Sequence, residues 1–178
     1  SRGLGDVYKR QRQDIVRNKQ VLSIEECKAI LDRNIHGIIG LNGDDGYIYT
    51  VPVSFVRHGD KIFFHGRPKG YKSESFKRTS KTSFCVVDQS FVVPSLRAND
   101  FRSVIVWGHL KKIETEEEKV KALRALAEKF CFGIPDNEDE IQSSKQYVEV
   151  YALVIECMTG KQALEEVRLA GQKLREKK

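Results

Sequence analysis

Turn signals recur through the middle of this chain, and they constrain its fold more than any other feature. Asn42-Gly43-Asp44-Asp45-Gly46, His58-Gly59-Asp60 and Gly66-Arg67-Pro68-Lys69-Gly70 cut the first half into short pieces rich in β-branched and aromatic residues. The pieces at 36–41, 47–57 and 61–65 are predicted as three strands of a meander. The Gly and Pro content of 66–70 excludes a strand interior, and a short helix is expected over 72–78. Further strands are expected at 82–88, 102–113 (which holds the only tryptophan, Trp107) and 148–156. Residues 89–101, with Pro94 and no clear period, read as a long loop. Six short strands, mostly antiparallel by turn length, with helices at the margins, predict a mainly β protein built on a small closed barrel.

Two capping boxes mark helix starts. In Ser23-Ile24-Glu25-Glu26 the serine and the second glutamate satisfy exposed amides, and Ile24, Cys27, Ile30 and Leu31 then form one apolar stripe to about residue 33. Thr115-Glu116-Glu117-Glu118 opens a second helix, with Val120, Leu123, Leu126, Ala127 and Phe130 on one side and Gly133-Ile134-Pro135 ending it. This reading divides the chain into a basic, disordered extension over 1–19, a single domain over 20–162 and a basic, helical tail over 163–178. At 178 residues one domain can bury a substantial core.

No apolar run approaches the ~18–20 residues that span a bilayer, and the polar, basic start does not read as a secretory signal. The expectation is a cytoplasmic protein. The net charge of +6 collects at the two ends as solvated tails, which argues against nucleic-acid binding. The four cysteines, Cys27, Cys85, Cys131 and Cys157, form no CxxC pair. They read as buried free thiols, and no metal site is expected.

The stretch from Phe63 to Lys72 carries the strongest chemical signal. A strand ends in His65, a glycine-bearing loop holds Arg67 and Lys69, and a helix opens at Lys72. Helix amides, a glycine that permits close approach, and Lys or Arg side chains together suit a phosphate monoester. A solvated basic loop fits the same residues. Arg102-Ser103, where a cation and a hydroxyl enter the apolar strand Val104-Ile105-Val106-Trp107, is a second candidate, since barrel closure can bring two strand starts around one anion. His36, His58 and His109 have no supporting pattern and read as structural or exposed.

Val51-Pro52-Val53-Ser54-Phe55, Lys61-Ile62-Phe63-Phe64-His65-Gly66, Lys69-Gly70-Tyr71-Lys72 and Arg102-Ser103-Val104-Ile105-Val106-Trp107-Gly108 resemble, in order and spacing, the pyridoxamine 5'-phosphate-oxidase-like family of FMN-binding proteins, and within it the nitroimidazole-resistance branch. The resemblance runs from about residue 20 to residue 160. It implies a six-stranded antiparallel split β-barrel of the flavin-reductase-like kind, a homodimer with FMN at the subunit interface, and reduction of a small aromatic or nitro-aromatic substrate. Carried over by position, Val51, Pro52, Val53 and Ser54 would line the isoalloxazine ring through backbone groups. Lys72, with Gly66, Lys69 and Gly70, would hold the phosphate, and Arg102, Ser103 and Val104 would meet the flavin or its ribityl chain. His65 matches the histidine beside the flavin and would assist proton delivery. The chain lacks the tryptophan- and arginine-rich C-terminal segment of the true vitamin B6 oxidases, so that activity is not expected. A GxGxxG after a first strand is also missing, which leaves a Rossmann cofactor unsupported. A non-catalytic module binding flavin, deazaflavin or haem is the alternative, with His109 or His58 as the haem ligand.

Overall fold

A computed structural model describes residues 18–176. The extension expected over 1–19 lies outside them except for its last two residues, which begin a 3-10 turn, Asn18–Gln20. The elements that follow are β1 (Val21–Leu22), α1 (Ile24–Arg33), β2 (His36–Asn42), β3 (Ile48–Ser54), β4 (Val56–His58), β5 (Lys61–Gly66), α2 (Tyr71–Arg78), β6 (Lys81–Val93), β7 (Ala98–Lys112), α3 (Glu116–Phe130), α4 (Asn137–Ser144), β8 (Glu149–Gln162) and α5 (Glu165–Arg175). The strands hydrogen-bond in the order β3-β2-β6-β7-β8-β5-β4, with β1 also on β8. The protein is therefore a mainly antiparallel β structure with flanking helices, as the turn spacing predicts.

The strand count is eight rather than six, for two reasons. The expected strand 47–57 breaks at Phe55, whose side chain is fully buried against Phe84 (ring centroids 4.9 Å apart) while its amide donates to the Ile35 carbonyl at 3.3 Å. The two-residue β1 pairs Val21 with Lys161 and Leu22 with Gly160, a match made at long range and carrying no local period. The long loop expected over 89–101 is mostly strand. Only a 3-10 turn at Pro94–Leu96 and Arg97, in the left-handed region at φ 47°, separate β6 from β7. Pro94 stands at the first turn of that helix, where its missing amide costs nothing.

Contacts divide the chain into two interleaved units: residues 18–34, 85–106 and 157–176 of the described chain, and residues 35–84 with 107–156. In the first, α1 starts on the capping box, with Ser23 Oγ accepting from the Glu26 amide at 3.2 Å and Glu26 Oε2 accepting from the Ser23 amide at 2.8 Å. Cys27, Ile30 and Leu31 are its buried face. Val93, Ala163 and Val167 form a second small core there, under Phe91, Phe101 and Leu174.

In the other unit, α3 lays Val120, Leu123 and Leu126 on Phe63 of β5 and on Val150 and Ala152 of β8. Thr115 caps α3 by accepting from the Glu118 amide at 3.4 Å. The polar segment after α3 contains α4, a helix with Ile141 as its one buried residue. It is tied to α3 by a two-pronged Arg124–Glu138 pair at 2.7 and 2.8 Å. Cys27 and Cys157 are buried as expected, whereas Cys85 is half-buried and Cys131 is exposed, because Cys131 follows the last turn of α3 rather than lying on its apolar stripe. No described helix is long and apolar enough to cross a membrane, and no described cluster of His, Cys, Asp and Glu could hold a metal ion.

Candidate functional site

β5 is paired with β4 over Lys61–Phe63 and with β8 along its whole length, so its end is held by β8. Ile62, Phe63 and Phe64 are buried, and the strand then surfaces at His65 and Gly66, opposite Val150 and Glu149. The loop that follows exposes Arg67 and Lys69. Gly70 stands at φ 106°, a conformation that side-chain-bearing residues rarely adopt, and from there the chain enters α2 without any side-chain cap. The first amides of α2 are thus left for an outside acceptor, at the end where the helix dipole favours negative charge. Lys72 folds its stem back over Gly66: a Cβ at 66 would lie 3.6 Å from Lys72 Cε and 3.8 Å from Nζ. Both are ordinary van der Waals distances, so Gly66 lies directly against the ammonium.

His65 stands beside that ammonium. The protein packed behind its ring disfavours the imidazolium, and the Lys72 charge adds repulsion, so its pKa lies below the ordinary 6.5. At neutral pH the ring is neutral.

A network beneath the loop fixes it. Glu149, buried on β8, accepts from Lys112 Nζ (2.7 Å) and from the Tyr151 hydroxyl (2.7 Å), and lies 3.0 Å from Ser73 Oγ in the first turn of α2. Ser73 Oγ also reaches the Pro68 carbonyl at 3.1 Å. Burial alone would raise the Glu149 pKa, but these three donors and the Lys112 charge bring it down to about 2. Further along α2, Phe76 stacks on Tyr151, ring centroids 4.3 Å apart. The sequence reading missed Glu149. The signal was there: a lone carboxylate in Val148-Glu149-Val150-Tyr151, on the same strand face as Tyr151 by the period of two.

β3 comes to the same region. Tyr49 packs edge-on against Tyr71 at the start of α2 (5.0 Å), and the Tyr71 hydroxyl bonds Asp44 Oδ1 at 3.1 Å in the turn before β3. In the β2–β3 register His36, Ile38, Gly40 and Asn42 face Ser54, Pro52, Thr50 and Ile48. That face is open, with Ile38 46% and Ile48 64% exposed. The opposite face carries Val53, buried, and Val51, half-buried. β3 ends the hydrogen-bonded order, and a proline is tolerated on such a strand.

His65, Gly66, Lys69, Gly70 and Lys72 thus share one loop, and Val51, Pro52, Val53 and Ser54 lie on the strand tied to it through Tyr49. Arg102, Ser103 and Val104 belong to the first unit. Arg102 donates to Gln162 Oε1 at 2.9 Å, Ser103 is half-buried and the Val104 side chain is fully buried. Of the other histidines, His109 Nε2 bonds Glu156 at 2.7 Å, His58 stacks on Phe63 and His36 is exposed.

A family model described as pyridoxamine 5'-phosphate oxidase matches residues 23–162. Comparison with curated proteins returned no match. Among solved structures, a candidate 5-nitroimidazole antibiotic resistance protein from Bacteroides thetaiotaomicron superposes with a TM-score of 0.68 at 23% identity, over 79% of this chain and 85% of its own. A conserved hypothetical protein from Mycobacterium tuberculosis gives 0.71 at 15% identity, over 82% and 88%. An FAD- and heme-binding protein from Mycobacterium smegmatis gives 0.69 at 21% identity, over 82% and 73%. These likenesses concern the fold.

Proposed function

The chain belongs to the pyridoxamine 5'-phosphate oxidase family, and on that premise we propose that it is an FMN-binding oxidoreductase acting on small, flat, electron-poor acceptors such as nitroimidazoles. The cradle at the start of α2 carries this reading. It joins uncapped helix amides, Gly66 under the Lys72 ammonium, and Lys69 and Arg67 in one exposed loop. A phosphate monoester, with close to two negative charges and three acceptor oxygens, fits that donor set.

Bound FMN supplies the electron store for such a reaction. The protein's part is to hold and to protonate. Lys72, Lys69 and the Gly70–Lys72 backbone would hold the phosphate, and the β3 backbone at Val51–Ser54 would flank the ring. Arg102 and Ser103 remain the proposed contacts to the ribityl chain, with Val104 offering only its backbone. An anion on Lys72 removes one of the two influences that depress His65. Its pKa then moves back toward the ordinary value, where the imidazolium can pass a proton to substrate.

The choice of acceptor leans on the likeness to the Bacteroides protein. A haem reading is not favoured, because of its two candidate ligands His109 bonds Glu156 through Nε2 and His58 stacks on Phe63. The open apolar face of Ile38, Pro52 and Ile48 supports a homodimer.

Heat release of the bound cofactor followed by mass spectrometry tests the reading directly: FMN is expected, and haem, a deazaflavin or no ligand at all refutes it. Lys72→Ala should lose most of its flavin, while His65→Ala should keep it and reduce nitroimidazole about 10²-fold more slowly. Wild-type turnover in the His65 variant removes that residue from the mechanism.

A further inference from the structure

Gly66 and Glu149 face each other in the antiparallel register of β5 and β8, so their Cβ directions share one face of the sheet, about 5 Å apart. Lys72 lies over that face too, since a Cβ at 66 would stand 3.8 Å from its Nζ. An ammonium and a buried carboxylate thus come to one small area, where opposite charges attract strongly. Yet the carboxylate is already taken. Lys112, arriving from β7, places its Nζ 2.7 Å from Glu149 Oε1, while the Tyr151 hydroxyl and Ser73 Oγ occupy Oε2 at 2.7 and 3.0 Å. Two further carboxylates stand close by. Glu74 pairs with Lys77 at 2.9 Å, and Glu114 acts on Lys112. Among the described residues Lys72 has no carboxylate partner.

Without Lys112, Glu149 would keep its charge and lose its cation, a costly state for a buried group. The ammonium best placed to replace it is Lys72, whose flexible stem already lies over Gly66. Lys72 would then be drawn out of the α2 cradle, and a ligand phosphate would have to compete with a carboxylate for it. A flavin without a phosphate asks nothing of Lys72.

We propose that Lys112 is a positioning residue that determines specificity: by holding the Glu149 carboxylate it leaves Lys72 uncommitted, which makes the cradle selective for a phosphate-bearing flavin over the same flavin without phosphate. The inference rests on the FMN reading for its ligand, while its electrostatic core can be measured with no ligand present.

Fluorescence titration of flavin-free protein with FMN and with riboflavin, in wild type, Lys112→Met, Glu149→Gln and the double variant, tests it. Lys112→Met should weaken FMN at least about tenfold and leave riboflavin within about threefold. Glu149→Gln should keep its FMN affinity, and the double variant should recover it, because without the carboxylate Lys72 has no competing partner. A merely structural ion pair gives a different pattern: both single variants loosen both flavins, and the double variant regains nothing. The second readout is the His65 titration, followed by NMR in flavin-free protein. Lys72 drawn onto Glu149 repels the imidazolium less, so the His65 pKa should rise in Lys112→Met and fall back in the double variant. Should Lys112→Met fail to fold, Glu149→Gln and the double variant, neither of which buries an unpaired carboxylate, still decide. They should bind FMN equally, and a further loss on removing Lys112 means that it holds the ligand itself, which overturns the assignment. A wild type that binds neither flavin defeats the FMN reading, and the His65 titration then decides the role of Lys112 by itself. Equal wild-type affinity for the two flavins, unchanged FMN affinity or an unchanged His65 pKa in Lys112→Met, a parallel loss of riboflavin, or a double variant as weak as Lys112→Met overturns the proposal.

Discussion

His65 and Lys72 set each other's charge, and this pair is where the chemistry of the site is decided. Removing the ammonium by Lys72→Ala leaves burial as the remaining influence on the ring. The His65 pKa, followed by NMR in flavin-free protein, should rise but stop short of 6.5. An unchanged pKa would show that the two side chains do not interact. Glu149 works in the opposite sense. Its folded pKa of about 2 lies below its ordinary 4.5, so the unfolded chain binds the proton more readily. The stability it contributes is full above pH 4.5 and fades as pH falls toward 2, up to about 3 kcal/mol in all. Glu149→Gln should therefore flatten the acid limb of a denaturation profile recorded between those values, and an unaltered limb counts against the network. The two residues also differ in how openly the sequence announces them. His65 ends an apolar strand before a basic glycine loop, a local pattern. Glu149 shows locally only as a lone carboxylate in an apolar strand; its partners Lys112 and Ser73 lie 37 and 76 positions away, and those pairings leave no trace in the nearby sequence.

At the level of elements, helix ends were easier to read than strand ends. The Ser23 capping box and the stripe of Cys27, Ile30 and Leu31 define α1 from adjacent residues alone, because both cap and stripe are local. β6 and β7 were underestimated because Gln89-Ser90 and Asn99-Asp100 place polar residues where a strand interior would show alternation. Buried Asp100, held by Gln89 and Arg175, belongs to that strand for tertiary reasons. α4 escaped notice because one buried residue makes no stripe. The positioning of α2 yields a contrast between two variants. Phe76→Leu keeps the burial but loses the stack on Tyr151. It should cost about 1 kcal/mol and loosen flavin retention. Ser23→Ala should cost a similar ~1 kcal/mol by removing the cap of α1, yet leave flavin affinity alone. Thermal melts give the first quantity and flavin fluorescence the second. Equal flavin loss in both variants would mean that α2 has no special part in retention.

For the molecule as a whole, the open face of β2 and β3 is the feature that asks for a partner. Ile38 and Ile48 point outward beside Pro52 in one register, and a second copy of the chain is the proposed cover. Ile38→Lys should leave the fold intact, since the residue is 46% exposed, but shift light-scattering mass toward the monomer and lower flavin occupancy with it. A variant of unchanged mass places the dimer contact elsewhere.

Each unit, finally, is assembled from separated stretches. Residues 18–34 find their packing partners at 85–106 and at 157–176, where Leu22 pairs with Gly160. While the polypeptide is being synthesised, residues 18–34 must wait for residues 157–176 to leave the ribosome before they can settle. So high a contact order favours slow, late closure over rapid local nucleation, and a release of the chain before residue 157 would strand the apolar side of α1 in water.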